Sequence, residues 1–200
     1  MYRKLVILLV IAVGLLLMAL AFVAVFKPNT FAPADTSSFF GQRGITREAN
    51  ISPNTADAPA PNFSVDLPVG WQERVSEPGI LLTAGPKNES AVYFSLSVDR
   101  LNTLTLTEYL TYYQAAAKAS APDVEFTGPV AVAVAGRGAQ RLEIVSQLKS
   151  DPYRAWAVFI PDDSGGLWTL LFSAPADQWS ARQAAFEQIL SSFSLSRWNY

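Results

Sequence analysis

Residues Leu5 to Phe26 form a run of 22 residues without one charged side chain. As a helix this run, LVILLVIAVGLLLMALAFVAVF, measures about 33 Å against a bilayer hydrocarbon core of roughly 30 Å. Gly14 interrupts it, and lipid-embedded helices accept glycine more readily than soluble ones. The run has no polar face, which a surface helix of a soluble domain would need. Arg3 and Lys4 precede it, and Lys27-Pro28 ends it. Positive charge at the N-terminal side places that end in the cytoplasm and everything after Lys27 across the membrane. The alternative is a cleaved signal peptide, whose apolar core usually runs only about 7–15 residues. Ala19-Leu20-Ala21 looks like a cleavage site but lies inside the apolar run, and Ala32-Pro33-Ala34 sets proline beside the cut. The expectation is a single-pass signal-anchor over residues 1–26 at the cell membrane, with an extracytoplasmic C-terminal domain. Secretion after cleavage is the alternative.

The chain contains no cysteine. It therefore carries neither a lipid-modified cysteine nor a disulfide, and an extracytoplasmic domain of this kind must hold itself together through its core. A bacterial-type envelope suits that better than a eukaryotic secretory route. Residues 27–61 hold proline at positions 28, 33, 53, 59 and 61 among many Ala, Ser, Thr, Asn and Asp residues. Such a composition buries too little apolar surface to offset ordering entropy, so it reads as a flexible linker. Phe39-Phe40 stands out within it as a patch expected to fold back onto domain or membrane, or else as a small docking motif. Three N-x-S triplets, at Asn50, Asn62 and Asn88, match the N-glycosylation pattern, which matters only in a eukaryotic source.

From Phe63 onward there are 10 Lys and Arg against 14 Asp and Glu, a net charge of −4. That balance argues against nucleic acid as a partner, because phosphate backbones are bound by basic faces. The hydrophobic pattern over residues 62–200 predicts a folded domain. Strands are expected at Asn62–Leu67, Gly79–Thr83 and Ala91–Asp99. The last places Val92, Phe94, Leu96 and Val98 on one face and Tyr93, Ser95 and Ser97 on the other. Thr105 and Glu108 form a capping box that opens a helix to about Ser120, with Leu106, Leu110, Tyr113 and Ala117 as its inward stripe. Further strands are expected at Val124–Thr127, continuing irregularly over residues 129–135, then at Ala139–Leu148, Tyr153–Ile160 and Leu167–Ser173. The Tyr153 strand is apolar on both faces, so each face of its sheet needs a cover. A helix over about Ala176–Phe193 supplies one, with Trp179, Phe186, Ile189, Leu190 and Phe193 on one side. Arg182 and Gln183 fall in the same stripe, where their stems can line the core edge while their heads reach water.

These residues resemble the PsbP/Mog/DcrB-like domains. Leu67-Pro68-Val69-Gly70-Trp71 is similar to the P-x-G-W start of that family. The resemblance continues through the capped helix, the Gly136-Arg137-Gly138 hairpin, the Trp156 strand and Leu170–Ala174, and ends in Ile189-Leu190-Ser191-Ser192-Phe193. It covers about residues 62–195. It implies an α/β/α sandwich, an α/β (α+β) domain with an antiparallel sheet of about six to seven strands between helices, here preceded by a single transmembrane helix. The family has no common enzymatic activity; its members include photosystem II extrinsic subunits, a Ran-binding protein and envelope proteins. Metal binding proposed for some photosystem members does not carry over, because this chain has no histidine. Many bacterial members are lipoproteins, and here the anchor would take over the tethering role.

The residue inventory narrows the chemistry further. Without histidine the usual general base and the commonest metal ligand are missing. Without cysteine there is no thiol nucleophile and no zinc–thiolate site. Ser and Lys are scattered, and no spacing singles out a pair. Gly136-Arg137-Gly138 lacks the lysine and helix start of a phosphate-binding loop. Asp162-Asp163-Ser164-Gly165-Gly166 reads as hairpin-turn chemistry, with a calcium site as the weaker alternative. No carboxylate pair is marked out for glycoside hydrolysis. No catalytic, cofactor-binding or metal residue is therefore assigned, and no cofactor is expected. The expected function is a membrane-tethered, non-catalytic interaction or assembly module with a protein partner. The alternatives are a small-ligand carrier and a carboxylate-based hydrolase.

Overall fold

The computed structural model describes residues 43–48, 62–101, 103–146 and 152–195. The expected anchor, the Phe39-Phe40 pair and the Asn50 triplet lie outside the described residues. Among the described residues, no helix is long and apolar enough to cross a membrane.

The chain is an α+β fold with a seven-stranded and a three-stranded antiparallel sheet. The strands are β1 (Arg43–Glu48), β2 (Asn62–Leu67), β3 (Trp71–Arg74), β4 (Ile80–Pro86), β5 (Tyr93–Arg100), β6 (Val124–Val134), β7 (Arg137–Ser146), β8 (Tyr153–Pro161), β9 (Gly166–Pro175) and β10 (Ser194–Leu195). The helices are α1 (Leu106–Ser120) and α2 (Trp179–Ser192). The large sheet runs β3-β4-β5-β9-β8-β7-β6, and the small one β1-β2-β10.

The two-faced burial expected for the Tyr153 strand is observed: Ala155 to Ile160 are all buried. Trp156, Val158 and Ile160 join one apolar cluster with Trp179, Phe186 and Ile189 of α2 and with Phe63 and Val65 of β2. Ala155, Ala157 and Phe159 join another with Leu110 and Tyr113 of α1. Each helix thus covers a different face, and the small sheet lies on the α2 side. Phe186 stands at the centre of that side, its ring centroid 5.4 Å from those of both Phe172 and Trp179, 6.1 Å from Trp71 and 6.5 Å from Trp156.

Helix α1 starts where the capping box places it. The Glu108 N–H donates to the Thr105 hydroxyl oxygen at 3.3 Å, and the Thr105 N–H donates to the Glu108 carboxylate at 2.8 Å. Thr105→Ala removes the acceptor of the first and should cost about 1 kcal/mol, read as a lower urea midpoint at unchanged slope.

Four sequence expectations need correction. Residues 43–48 fall in the expected linker, yet they form β1, paired Ile45 to Val65 and Arg47 to Phe63. The open edge of β2 recruits them through backbone bonds, which composition does not reveal. Strands β3 and β10, four and two residues long, were not expected, since so short a run carries no periodicity. Helix α2 begins at Trp179, not Ala176, because residues 176–178 make a turn in which the Gln178 N–H donates to the Pro175 carbonyl. Arg182 does not end in water alone: its partly exposed guanidinium pairs with Glu89.

Candidate functional site

The large-sheet face beneath α1 changes character across its width. Over β7 and β8 it is apolar, with Leu142, Ile144, Ala155 and Phe159 against the helix. On β5 and β9 it is lined by hydroxyls: Tyr93, Ser95 and Ser97 from one strand, Thr169 and Ser173 from the other. The ladder sets Ser97 opposite Thr169 and Tyr93 opposite Ser173. Period-two alternation puts all five on one side, because Phe94, Leu96, Trp168, Leu170 and Phe172 occupy the other core. Ser95, Ser97, Thr169 and Ser173 are buried.

Tyrosines 109, 113 and 153 extend the same face. The Tyr109 hydroxyl donates to Asp99 Oδ2 at 2.9 Å. Tyr93 is hydrogen-bonded to Ser173. Burial pushes every one of these phenols up, Tyr153 to about 12 with the Asp123 charge adding to the effect. All four therefore keep their protons at neutral pH and are able to donate hydrogen bonds. Thr169 Oγ1 is buried with no hydrogen-bond partner. This lining is hydroxyl-rich, with the Asp99 carboxylate at its edge held by Tyr109. It suits an uncharged polar guest or ordered water and offers no activated nucleophile. An unpaired buried hydroxyl costs stability, so Thr169→Val should raise the unfolding free energy by about 1 kcal/mol. A loss instead would show that the hydroxyl is satisfied by a water or a bound guest in solution.

The charged groups near the core hold loops. Asp162 accepts from the Ser164 N–H at 2.8 Å, the Ser164 hydroxyl at 2.6 Å, the Gly166 N–H at 2.8 Å and the Trp168 indole N–H at 3.0 Å. Burial alone would raise its carboxyl, but these donors outweigh it and hold the group below the ordinary carboxylate range. Gly165 supplies the left-handed turn at φ 81°, and a Cβ at Gly166 would collide with the Asp162 carboxylate. Asp163 pairs with Arg137 at 2.8 Å. The Asp-Asp-Ser-Gly-Gly run is thus a turn whose carboxylates are engaged by protein donors. Among the described residues, no three of His, Cys, Asp and Glu gather to hold a metal.

Arg74 donates to the carbonyls of Pro86, Glu89 and Ser90, closing the loop after β4. Burial lowers its guanidinium value and the Glu89 charge opposes that. Glu89 in turn receives Arg182 from α2, at 2.6 Å on Oε1. Arg141 lies 4.5 Å over the Trp156 ring and 3.5 Å from Glu187. Outside these ties, large apolar side chains reach solvent: Val75 is 98% exposed, with Val69, Tyr112 and Val130 nearly half exposed. Sequence reasoning singled out neither the hydroxyl face nor Val75. The alternation of Tyr93, Ser95 and Ser97 was the available signal for the first, but it looked like a strand's solvent side.

No model of a known protein family and no curated protein sequence matches the chain. Its fold is shared with solved structures. Cyanobacterial PsbP (CyanoP) from Synechocystis superposes with a TM-score of 0.57 at 16% identity, covering 82% of this chain and 98% of that one. LpqN of Mycobacterium tuberculosis, described as involved in cell envelope biogenesis, superposes with a TM-score of 0.53 at 12% identity, covering 78% of this chain and 92% of LpqN. The fold is the PsbP/Mog-like one that the motifs from Leu67-Pro68 to Phe193 suggested.

Proposed function

We infer that this chain is a membrane-tethered, extracytoplasmic interaction or assembly module that performs no catalysis itself. The observation that carries the reading is how the domain engages its charged side chains. Asp162, Arg74, Glu89, Arg182 and Arg141 are bound to backbone, to each other or to a ring, while Val75 stands free in solvent. Val75 is the most exposed of the large apolar side chains among the described residues, and an apolar side chain left in water gains from a partner that covers it. The uncharged run of residues 5–26 supports the tether. Confinement near the membrane raises the effective concentration of a membrane-bound partner. The fold shared with CyanoP and LpqN is compatible with this role and does not specify it.

The test is site-specific photo-crosslinking of the full chain in membranes of its own source, with the photoreactive residue at position 75 and, as control, at Lys118 on the exposed end of α1. The expected result is one protein adduct that depends on position 75. No adduct, or the same adducts from both positions, would count against the reading.

The hydroxyl-lined face favours a second reading, a carrier for a small uncharged polar ligand. The Thr169→Val stability measurement bears on it, because a gain in stability would mean that neither a guest nor a water satisfies the hydroxyl. A carboxylate-based hydrolase has less support, because the Asp162 carboxylate is held by four donors.

A further inference from the structure

Strand β6 ends the large sheet, pairing with β7 on one side and with no other described strand on the other. An open edge leaves alternate backbone N–H and C=O groups unpaired, and proteins usually blunt such edges with charge. Here Glu125 and the irregularity at Gly128-Pro129 blunt only the first part of β6, and from Val130 to Gly136 there is no charged residue. Its central segment is Val130-Ala131-Val132-Ala133-Val134. These five residues are a palindrome centred on Val132, and it ends there, because the next pair outward is Pro129 and Ala135.

The side chains sort by face. Val134 is buried in the α2-side core, Val132 packs against it half-buried, and Val130 is 47% exposed. Ala131 and Ala133 point to the opposite face and are exposed. We propose that β6 is the self-association edge of this protein, pairing antiparallel with β6 of a second copy about a two-fold axis at Val132. In that register Val132 meets Val132 of the copy and Val130 meets the copy's Val134, all on one face. Ala131 meets the copy's Ala133 on the other. A two-fold axis brings each residue beside its own symmetry mate, so a charge at the centre would face itself; the uncharged palindrome avoids this. Valine pairs across strands also cover the exposed part of Val130.

The opposite edge of the sheet explains why pairing would stop at two copies. Strand β3 has only four residues, and they include Gln72, Glu73 and Arg74. The Arg74 guanidinium is already committed to the carbonyls of Pro86, Glu89 and Ser90. A β6-to-β3 contact would leave free edges and propagate; the β6-to-β6 contact is closed.

The chain has no native cysteine, which makes the test direct. Residues opposite one another in antiparallel strands have Cα atoms about 4.5–5.5 Å apart, within disulfide range. The full chain carrying Val132→Cys, in detergent and under mild oxidation, should form a covalent dimer about tenfold faster than one carrying Val75→Cys, because pairing raises the local thiol concentration. Val75 is the more exposed of the two positions, so exposure alone predicts the reverse order. The unsubstituted chain provides the measurement that needs no variant: density-matched sedimentation equilibrium should give twice the chain mass in the upper concentration range. A monomer at every concentration overturns the proposal. So does crosslinking at position 75 that equals or exceeds that at position 132.

Discussion

Phe186→Ala should lower the unfolding free energy by about 4 kcal/mol, within the usual span for deleting a buried phenylalanine. The ring is fully buried and touches the aromatic side chains of Trp71, Phe172, Trp156 and Trp179. These come from β3, β9, β8 and α2 itself, so the cavity would open where four elements meet. None can collapse into the space without leaving its own partners, because the rings are held on separate backbones. Phe186→Leu keeps most of the volume and should cost roughly a third as much. Chemical denaturation of the two variants gives both values. Equal, small losses would mean that α2 is not anchored through this ring.

Asp162→Asn should cost about 2 kcal/mol, because the fully buried Trp168 loses the acceptor of its indole N–H. The amide of asparagine keeps one oxygen. If that oxygen serves Ser164 and Gly166, the NH2 group confronts the indole; if it flips, three donors are orphaned instead. The pH dependence supplies an independent check. The folded carboxyl is held below its ordinary value. Its contribution is therefore complete at pH values above the ordinary carboxylate pKa of about 4 and disappears as pH falls through the folded value. The stability gap between the parent chain and Asp162→Asn should be constant from neutral pH down to that region and then narrow in acid. A gap that widens in acid would contradict the assignment. Trp168→Phe removes the donor, so adding Asp162→Asn to it should cost less than adding it to the parent chain.

Particular residues explain how far the sequence was legible. The capped start of α1 was readable because Thr105 and Glu108 satisfy each other locally, within three residues. Strand β8 was readable because apolar residues at consecutive positions leave no solvent face. Strand β1 was not, since Arg43–Glu48 is a polar stretch whose only reason to be extended is a partner strand 19 positions on at Asn62. The Arg182–Glu89 tie spans 93 residues and leaves no local mark. The hydroxyl face was hidden for a related reason. Tyr93, Ser95 and Ser97 look like an outer surface until Thr169 and Ser173 are set beside them by the ladder. Asp162 was legible as a turn residue, though its hold on the Trp168 indole was not.

The proposed function places a folded domain across a membrane, held there by residues 5–26. The most direct test is alkaline carbonate extraction of membranes from the protein's own source, followed by protease treatment of intact cells stripped of any outer barrier. A tethered domain keeps the full-length chain in the membrane pellet, and protease added outside removes the domain epitope. Release of full-length chain into the carbonate supernatant, or a domain epitope that survives until the cells are lysed, would contradict it.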